Sequence, residues 1–510
     1  MTRPNVLLIT ADQWRGDFLG RLGHPLARTP HLDALADRGT LFRRHYANAA
    51  PCSPARACLY TGLYQMTNRV VRNGTPLDAR HDTIATLARR AGYDPTLFGY
   101  TDQSIDPRTT GGDDPWLRTY EGILPGFTVR LRLPEHGGPW ISWLRRRDVA
   151  IPVDPWDLYR PTGGGDRPTT APAPYGPDDT EAAFVVETFG DWLSEQPAGA
   201  PWFAHVSFLR PHPPYIVPAP FNTLVDPADG PDFARRPTAD DEAALHPLAA
   251  YWRDVTVRAP YVVGAEGRVG DWSDADFRTI RATYAGMVAE VDDKIGRMLA
   301  LLAAAGAAEN TVIVFTADHA DLMGDHWTLG KFGFFEGAYH VPLIVADPRR
   351  PAGHGRTVAA FTEAVDILPT VLALAGAPVP GHLDGRALTP FLDGAEAPAS
   401  WRRAAHWEYD FREVATGRAE ARFGLDLDAC SLAVVRDRRF KYVHFAGLPP
   451  LLFDLDADPA ETTDVAGDPA YRDARLAMAE ELLAWRARHL DRRLTGLELT
   501  ADGVVDGRAG

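Results

Sequence analysis

The sequence predicts an α/β fold, a large and mostly parallel sheet between helices, followed by a smaller α+β domain. Three observations carry that prediction. Short β-branched apolar runs alternate with helical patterns through most of the chain, the arrangement that gives a parallel sheet covered on both faces. The 510 residues, 45% hydrophobic and 24% charged, suffice to bury a large core and to add a second, smaller one. Near Ala395 the pattern changes to an antiparallel pair and a terminal helix, which divides the chain into a larger domain over 1–395 and a C-terminal domain with a terminal arm over 396–510.

Residues 5–10 form a buried strand, since Val6-Leu7-Leu8-Ile9 is apolar on both faces. Thr29 and Pro30 open a helix that runs to Arg38 and stops at Gly39, and 42–47 is extended. Beyond a helix that opens near Cys52, an amphipathic stretch over 82–91 ends at Gly92, and 97–100 is extended. A helix over 180–194 precedes a strand over 202–207. A long helix over 272–305 leads into the β-branched run 311–316; 341–346 is a further strand and 365–375 a further helix. Two stretches lack periodicity: 161–179, rich in Pro and Gly, is a surface loop, and 211–263 is an irregular insertion placed to wall a site. In the C-terminal domain 431–445 folds back around Asp437-Arg438, and 471–489 is a helix.

Charge and cysteine usage exclude several classes. The net charge is −15, and Arg145-Arg146-Arg147 is the one dense basic run, which disfavours nucleic acid or an anionic membrane as partner. Three cysteines, Cys52, Cys58 and Cys430, make no disulfide framework and fit a reducing compartment. The opening apolar run is too short for a secretory signal, and no stretch nears the roughly 20 apolar residues of a membrane span, so a cytoplasmic location is expected.

The most informative stretch is Cys52-Ser53-Pro54-Ala55-Arg56, continuing through Leu59 to Thr61-Gly62. Pro54 suits the first position of a helix, which puts the Cys52 side chain at a helix N-terminus, where an anion is favoured. Arg56 brings a fixed positive charge to the same place. Cys58, with nothing reactive beside it in sequence, reads as core. In such a sheet the chemistry gathers beyond the carboxyl ends of the strands, where Asp12-Gln13 and Asp318-His319 both fall. Either pair alone is as readily a cap or a loop carboxylate. Together with Cys52, their carboxylates, amide oxygen and imidazole suit a divalent cation such as Ca²⁺ or Mn²⁺. His212, between prolines in Arg210-Pro211-His212-Pro213-Pro214, is either an aimed group or a solvated histidine. Lys331, flanked by Gly330 and Phe332, reads as a lysine in a partly dry pocket. His340 reads as core or as support for the site, and His24, His31, His45 and His81 as ordinary histidines.

These motifs resemble the sulfatases of the alkaline phosphatase superfamily, in which C-x-P-x-R is followed by L-x-T-G, and the resemblance covers nearly the whole chain. It implies an alkaline-phosphatase-like fold, oxidation of Cys52 to 3-oxoalanine (formylglycine) by a maturation enzyme, and metal ligation by Asp12, Gln13, the modified Cys52, Asp318 and His319. Gln13 and His319, where many sulfatases carry an acid and an asparagine, are similar to the phosphonate monoester hydrolases, which are also phosphodiesterases. So are the stretches around Asn73, Tyr100, Asp106 and His212, and the run 448–455. Ala320 stands where the family has glycine. Asp102 stands where a hydroxyl residue is expected, an extra carboxylate that tends to repel a dianion.

The resemblance further implies that the metal-activated formylglycine hydrate attacks phosphorus or sulfur and forms a covalent intermediate, which collapses back to the aldehyde. Arg56 and Lys331 then offset charge on the non-bridging oxygens, His212 or Lys331 protonates the departing oxygen, and Asn73, Tyr100 and Asp102 contact the substrate. The expected activity is hydrolysis of phosphonate monoesters and phosphate diesters. An arylsulfatase or alkylsulfatase using the same residues is the alternative; a non-catalytic anion-binding relative is another, against which the intact Cys52, Asp12, Asp318 and His319 argue. Choline sulfatases share the Asp-Gln opening, but their C-terminal pattern is not evident. The expected partners are a small-molecule phosphonate, phosphate diester or sulfate ester and the maturation enzyme. A polar tail after His489 suits a homo-oligomer.

Overall fold

The computed structural model describes residues 3–197, 199–501 and 503–507. Its centre is an eight-stranded sheet in the order Arg356–Val358, Thr40–Phe42, Leu343–Ala346, Thr311–Thr316, Asn5–Ala11, Phe203–Phe208, Pro95–Gly99, Thr128–Arg132. Among these strands only Leu343–Ala346 runs antiparallel to its neighbours. The first strand is buried along its full length because alternate residues feed two cores. Leu7 and Ile9 join Phe315 under the long helix Asp274–Ala304. Val6 and Leu8 join Val312 and Val314 under the helices Cys52–Thr61, Ile84–Arg90 and Ile367–Leu374. Both faces are therefore apolar, which is why the run is continuous rather than alternating. Ser273 starts the long helix with a reciprocal cap: its Oγ accepts from the Asp276 N–H while the Asp276 carboxylate accepts from the Ser273 N–H.

A five-stranded sheet lies in the C-terminal part. Leu451–Asp454, Phe440–Phe445, Ser431–Arg436 and Ala405–Asp410 are antiparallel neighbours, and Ala49–Ala50 pairs in parallel with the last of them. Helix Arg472–Arg488 covers this sheet through Met478, Leu482 and Trp485. Because Ala49–Ala50 comes just before Cys52, the smaller sheet anchors the chain where it enters the Cys52 helix.

Several sequence expectations change. The helix opens at Cys52 rather than Pro54, so Pro54 sits within the first turn, where its N–H would have no helical acceptor in any case. The extended segment 42–47 divides into Thr40–Phe42 and His45–Tyr46, which join different sheets. Pro342 splits 341–346 similarly: His340–Val341 pairs with His45–Tyr46, and Leu343–Ala346 enters the large sheet. The insertion 211–263 contains helices Ala239–Ala243 and Pro247–Val255, the latter capped by the His246 ring accepting from the Leu248 N–H. His340 is half-buried on its strand, its ring 5.4 Å from that of the core residue Tyr46 and its Nε2 2.9 Å from the Arg43 carbonyl. The tail is not the polar arm expected, since the hairpin of Leu497–Thr500 and Gly503–Asp506 exposes Leu497, Leu499, Val504 and Val505. No helix among the described residues is long and apolar enough to cross a membrane.

Candidate active site

The strands Thr311–Thr316, Asn5–Ala11, Phe203–Phe208 and Pro95–Gly99 are parallel neighbours, so their carboxyl ends lie side by side. Ile9 pairs with both Phe315 and Val206, which brings Asp12 beside Asp318 and both near the segment that carries His212. Tyr100 follows the outermost of these strands. The Cys52 helix aims its first residue at the same point, and Lys331 enters from the loop beyond Asp318.

One ligand atom each from Asp12, Cys52, Asp318 and His319 lies within 4.8 Å of all the others. Cys52 Sγ is 3.2 Å from His319 Nε2 and 3.3 Å from Lys331 Nζ. Lys331 Nζ also donates to Gln13 Oε1 at 2.7 Å, which keeps that oxygen on the cluster side. His319 donates from Nδ1 to the Ala320 carbonyl at 3.2 Å, leaving the Nε2 lone pair facing the cluster. Burial and Lys331 push this imidazole down to about 3, so it is neutral, as a ligand must be.

Burial opposes ionisation of Asp12, but Lys331, His212, His319 and Arg56 outweigh it and hold the carboxyl well below its usual range. Burial and the neighbouring Asp12 charge push Asp318 up to about 7. Even with the Arg56 guanidinium on both carboxylates Asp318 stays raised, so further positive charge is needed for both to ionise fully. Asp12 Oδ1 is moreover buried without a hydrogen bond. An orphaned carboxylate oxygen, a second carboxylate, an amide oxygen and a neutral imidazole together form a donor set that fits a divalent cation. Burial pushes the Cys52 thiol well above its usual range, so the unmodified residue is a poor nucleophile.

Arg56 lies behind the cluster. It donates through Nε to Asp318 Oδ2 at 2.9 Å and through Nη2 to Asp12 Oδ2 at 3.3 Å. Nη2 also reaches Tyr100 Oη at 2.9 Å, and Nη1 reaches Ser207 Oγ at 2.9 Å. Arg56 holds both carboxylates from behind and is not among the residues that line the cavity.

The cavity in front of the cluster has a volume of about 640 Å³ and is lined by Gln13, Cys52, Asn73, Tyr100, Asp102, His212 and Lys331. Asn73 Oδ1 accepts from the Ser53 N–H at 2.9 Å, which ties its loop to the helix start. Tyr100 Oη donates to Asp12 Oδ2 at 2.5 Å while its ring lies 4.2 Å from the Arg56 guanidinium carbon. Asp102, 5% exposed and with φ of 48°, makes no side-chain hydrogen bond or ion pair with the described residues. Burial, Asp12 and Asp318 push its carboxyl well above the usual range, which favours the neutral acid. In that form it carries a proton free to donate and no negative charge. His212 donates from Nδ1 to the Pro213 carbonyl at 2.7 Å, and burial with Lys331 pushes it down to about 4.

Sequence reasoning missed Asp321, which lies beneath Gln13, and the wall residues Tyr120, Glu121, Glu135 and Trp156, whereas the insertion 211–263 does wall the cavity, through Pro213, Pro214, Pro260, Tyr261 and Val263. Asp321 was within the Asp318-His319-Ala320-Asp321 run, but its partners are distant in sequence. The wall residues belong to stretches with no pattern to read.

A helix-borne cysteine facing carboxylates and an imidazole at the ends of parallel strands fits a hydrolase of ester bonds in an alkaline-phosphatase-like fold. A family model described as Sulfatase matches residues 4–377, and the model N-sulphoglucosamine sulphohydrolase, C-terminal, matches 324–488. The chain belongs to the sulfatase family. It is 39% identical, over 99% of both chains, to the multifunctional alkaline phosphatase superfamily protein PehA of Trinickia caryophylli. It superposes on a phosphonate monoester hydrolase of Agrobacterium radiobacter with a TM-score of 0.96, 55% identity and 99% coverage of each chain. With a phosphonate monoester hydrolase of Silicibacter pomeroyi the TM-score is 0.92 at 40% identity, over 100% of both chains.

Proposed function

We propose that this protein hydrolyses phosphonate monoesters and phosphate diesters. The observation that carries the reading is its near-complete superposition on two phosphonate monoester hydrolases, with Gln13, Lys331 and His319 gathered around Cys52. Asp12, Gln13, Asp318, His319 and residue 52 hold a divalent cation, Mn²⁺ or Ca²⁺. Formylglycine made from Cys52 and that cation together supply an activated oxygen nucleophile and polarise the substrate. Cys52 begins a helix whose residues are all buried, so the maturation enzyme reaches it before that helix packs.

The residues divide the remaining work. Lys331 is the one Lys or Arg lining the cavity among the described residues; Cys52, Asp12 and Asp318 outweigh its burial and keep it charged. It offsets charge on the non-bridging oxygens and is the better placed proton donor to the leaving oxygen. His212 is neutral with its Nδ1 proton committed, so its Nε2 protonates only when a bound anion raises its basicity. Asn73, Tyr100 and Asp102 orient the ester. One cation against a wall bearing Glu121 and Glu135 suits a monoanion better than a dianion. Sulfate monoesters are monoanions of the same shape, and the sulfatase family match favours them as the second reading. The exposed tail hairpin offers apolar surface to another copy of the chain, which supports a homo-oligomer.

Parallel kinetics on an aryl phosphonate monoester, an aryl phosphate diester and an aryl sulfate with one common leaving group test the proposal. The phosphorus esters should give the higher kcat/KM. A higher value for the sulfate would transfer the protein to the second reading.

A further inference from the structure

Asp321 makes no contact with the cavity, yet it decides which end of the Gln13 amide faces it. Its Oδ2 accepts from Gln13 Nε2 and, at 2.7 Å, from Tyr215 Oη. Its Oδ1 accepts from the N–H groups of Met323 at 2.7 Å and Gly330 at 2.9 Å. The carboxylate is thus fully buried with its acceptor sites occupied by donors from separate parts of the chain. On the other side of Gln13, Oε1 accepts from Lys331 Nζ. A carboxylate only accepts and an ammonium only donates, so the amide has one permitted orientation: nitrogen to Asp321, oxygen to Lys331 and the ligand cluster.

We propose that Asp321 is a positioning residue that sets metal affinity by holding the Gln13 oxygen toward the cation, and that through Gly330 it also fixes the loop presenting Lys331. The inference rests on the reading of Gln13 as a metal ligand. Gln13 has φ of 67°, so its backbone is already committed to a tight turn, and the amide end is the remaining freedom. In Asp321→Asn the new Oδ1 keeps the two backbone N–H groups, and an NH₂ replaces the oxygen facing Gln13. The Gln13 amide must then turn over to offer its oxygen to Asn, which points its own NH₂ at Lys331 and the cation. Two donors and a cation face one another, and the ligand is lost.

The charge-conserving double variant Gln13→Glu with Asp321→Asn exchanges amide and carboxylate. Glutamate has an oxygen at both ends, one to accept from Asn and one to face Lys331 and the metal, and Tyr215 accepts where it formerly donated. The test is Mn²⁺ binding by calorimetry to metal-free wild type, Asp321→Asn and the double variant, with thermal melts for each. Asp321→Asn should bind about 10- to 100-fold more weakly than wild type or fail to fold, the usual range for losing a partner behind a ligand. The double variant should fold and recover affinity to near wild type, an outcome that a purely packing role for Asp321 does not produce. Wild-type affinity in Asp321→Asn, or no recovery in the double variant, would overturn the inference. A wild type that binds no Mn²⁺ would instead remove the metal reading on which it rests.

Discussion

The floor of the cavity and its outer wall are made from different kinds of chain. On the floor Asp12, Asp318, His212 and Tyr100 each follow a strand of one parallel sheet, and Arg56 ties Asp12 to Asp318 from behind. The outer wall takes Tyr120, Glu121, Glu135 and Trp156 from the loops around the edge strand Thr128–Arg132 and the helix Gly138–Arg146. Its bonds are local: Tyr120 Oη donates to Glu135 at 2.9 Å and the Glu135 N–H donates to Glu121 at 2.5 Å. The floor is therefore braced by adjacent central strands, and the wall by its own bonds and the edge strand Thr128–Arg132. The ligand cluster thus sits on the part that is costly to move, and the rest of the lining on loops that are less so.

Removing a floor ligand should have the largest effect. Asp318→Ala should lose bound metal and fall to background turnover, whereas Glu135→Gln in the wall should keep its metal; elemental analysis of both checks this. Arg56→Ala should come next, because it leaves two buried carboxylates unpaired: about 3–5 kcal/mol of stability should be lost in chemical denaturation. If Arg56→Ala is as stable as wild type, the bracing of the floor is not what holds it.

Within the floor, Lys331→Ala should slow esters of poor leaving groups by about 10² to 10⁴ and steepen the dependence of kcat/KM on leaving-group pKa, with His212→Ala steepening it less. The opposite ranking would make His212 the proton donor. A smaller effect concerns pH. In the metal-free protein Asp318 holds a proton up to about pH 7, so a cation must displace it. Apparent affinity should therefore rise about tenfold per pH unit below 7 and level off above, with proton release seen by calorimetry in buffers of different ionisation enthalpy.

Asp102, at the border between floor and wall, should give the smallest effect. Asp102→Ala should cost about 0.5–1.5 kcal/mol in kcat/KM, the worth of one neutral hydrogen bond. Since the donating form is the neutral acid, the wild-type advantage should be present at low pH and vanish as pH rises through its raised pKa. Asp102→Asn, which donates at every pH, should lose that limb of the profile.

The same division governs what could be read from the sequence. Strand 5–11 and helix 274–304 are legible because burial on both faces and capping leave periodic patterns, and Asp12-Gln13 and Asp318-His319 are legible because they sit where such strands end. Arg56 is legible as important, but not its direction: whether a guanidinium faces a ligand or braces carboxylates depends on Ser207 and Tyr100, distant in sequence. Asp102 reads as a repelling charge until its burial beside Asp12 and Asp318 is known. Pro247–Val255 escapes because Pro247 reads as a breaker until His246 is seen to cap the turn. The wall residues carry no periodic signal at all.

The central claim is that residue 52, at the focus of the floor, acts as formylglycine. Peptide mass spectrometry of preparations co-expressed with graded amounts of the maturation enzyme, each assayed on the same aryl phosphonate monoester, tests it most directly. Specific activity should rise in proportion to the fraction of residue 52 converted to the aldehyde and extrapolate to zero in wholly unconverted protein. Full activity in protein whose residue 52 is entirely cysteine would contradict the account.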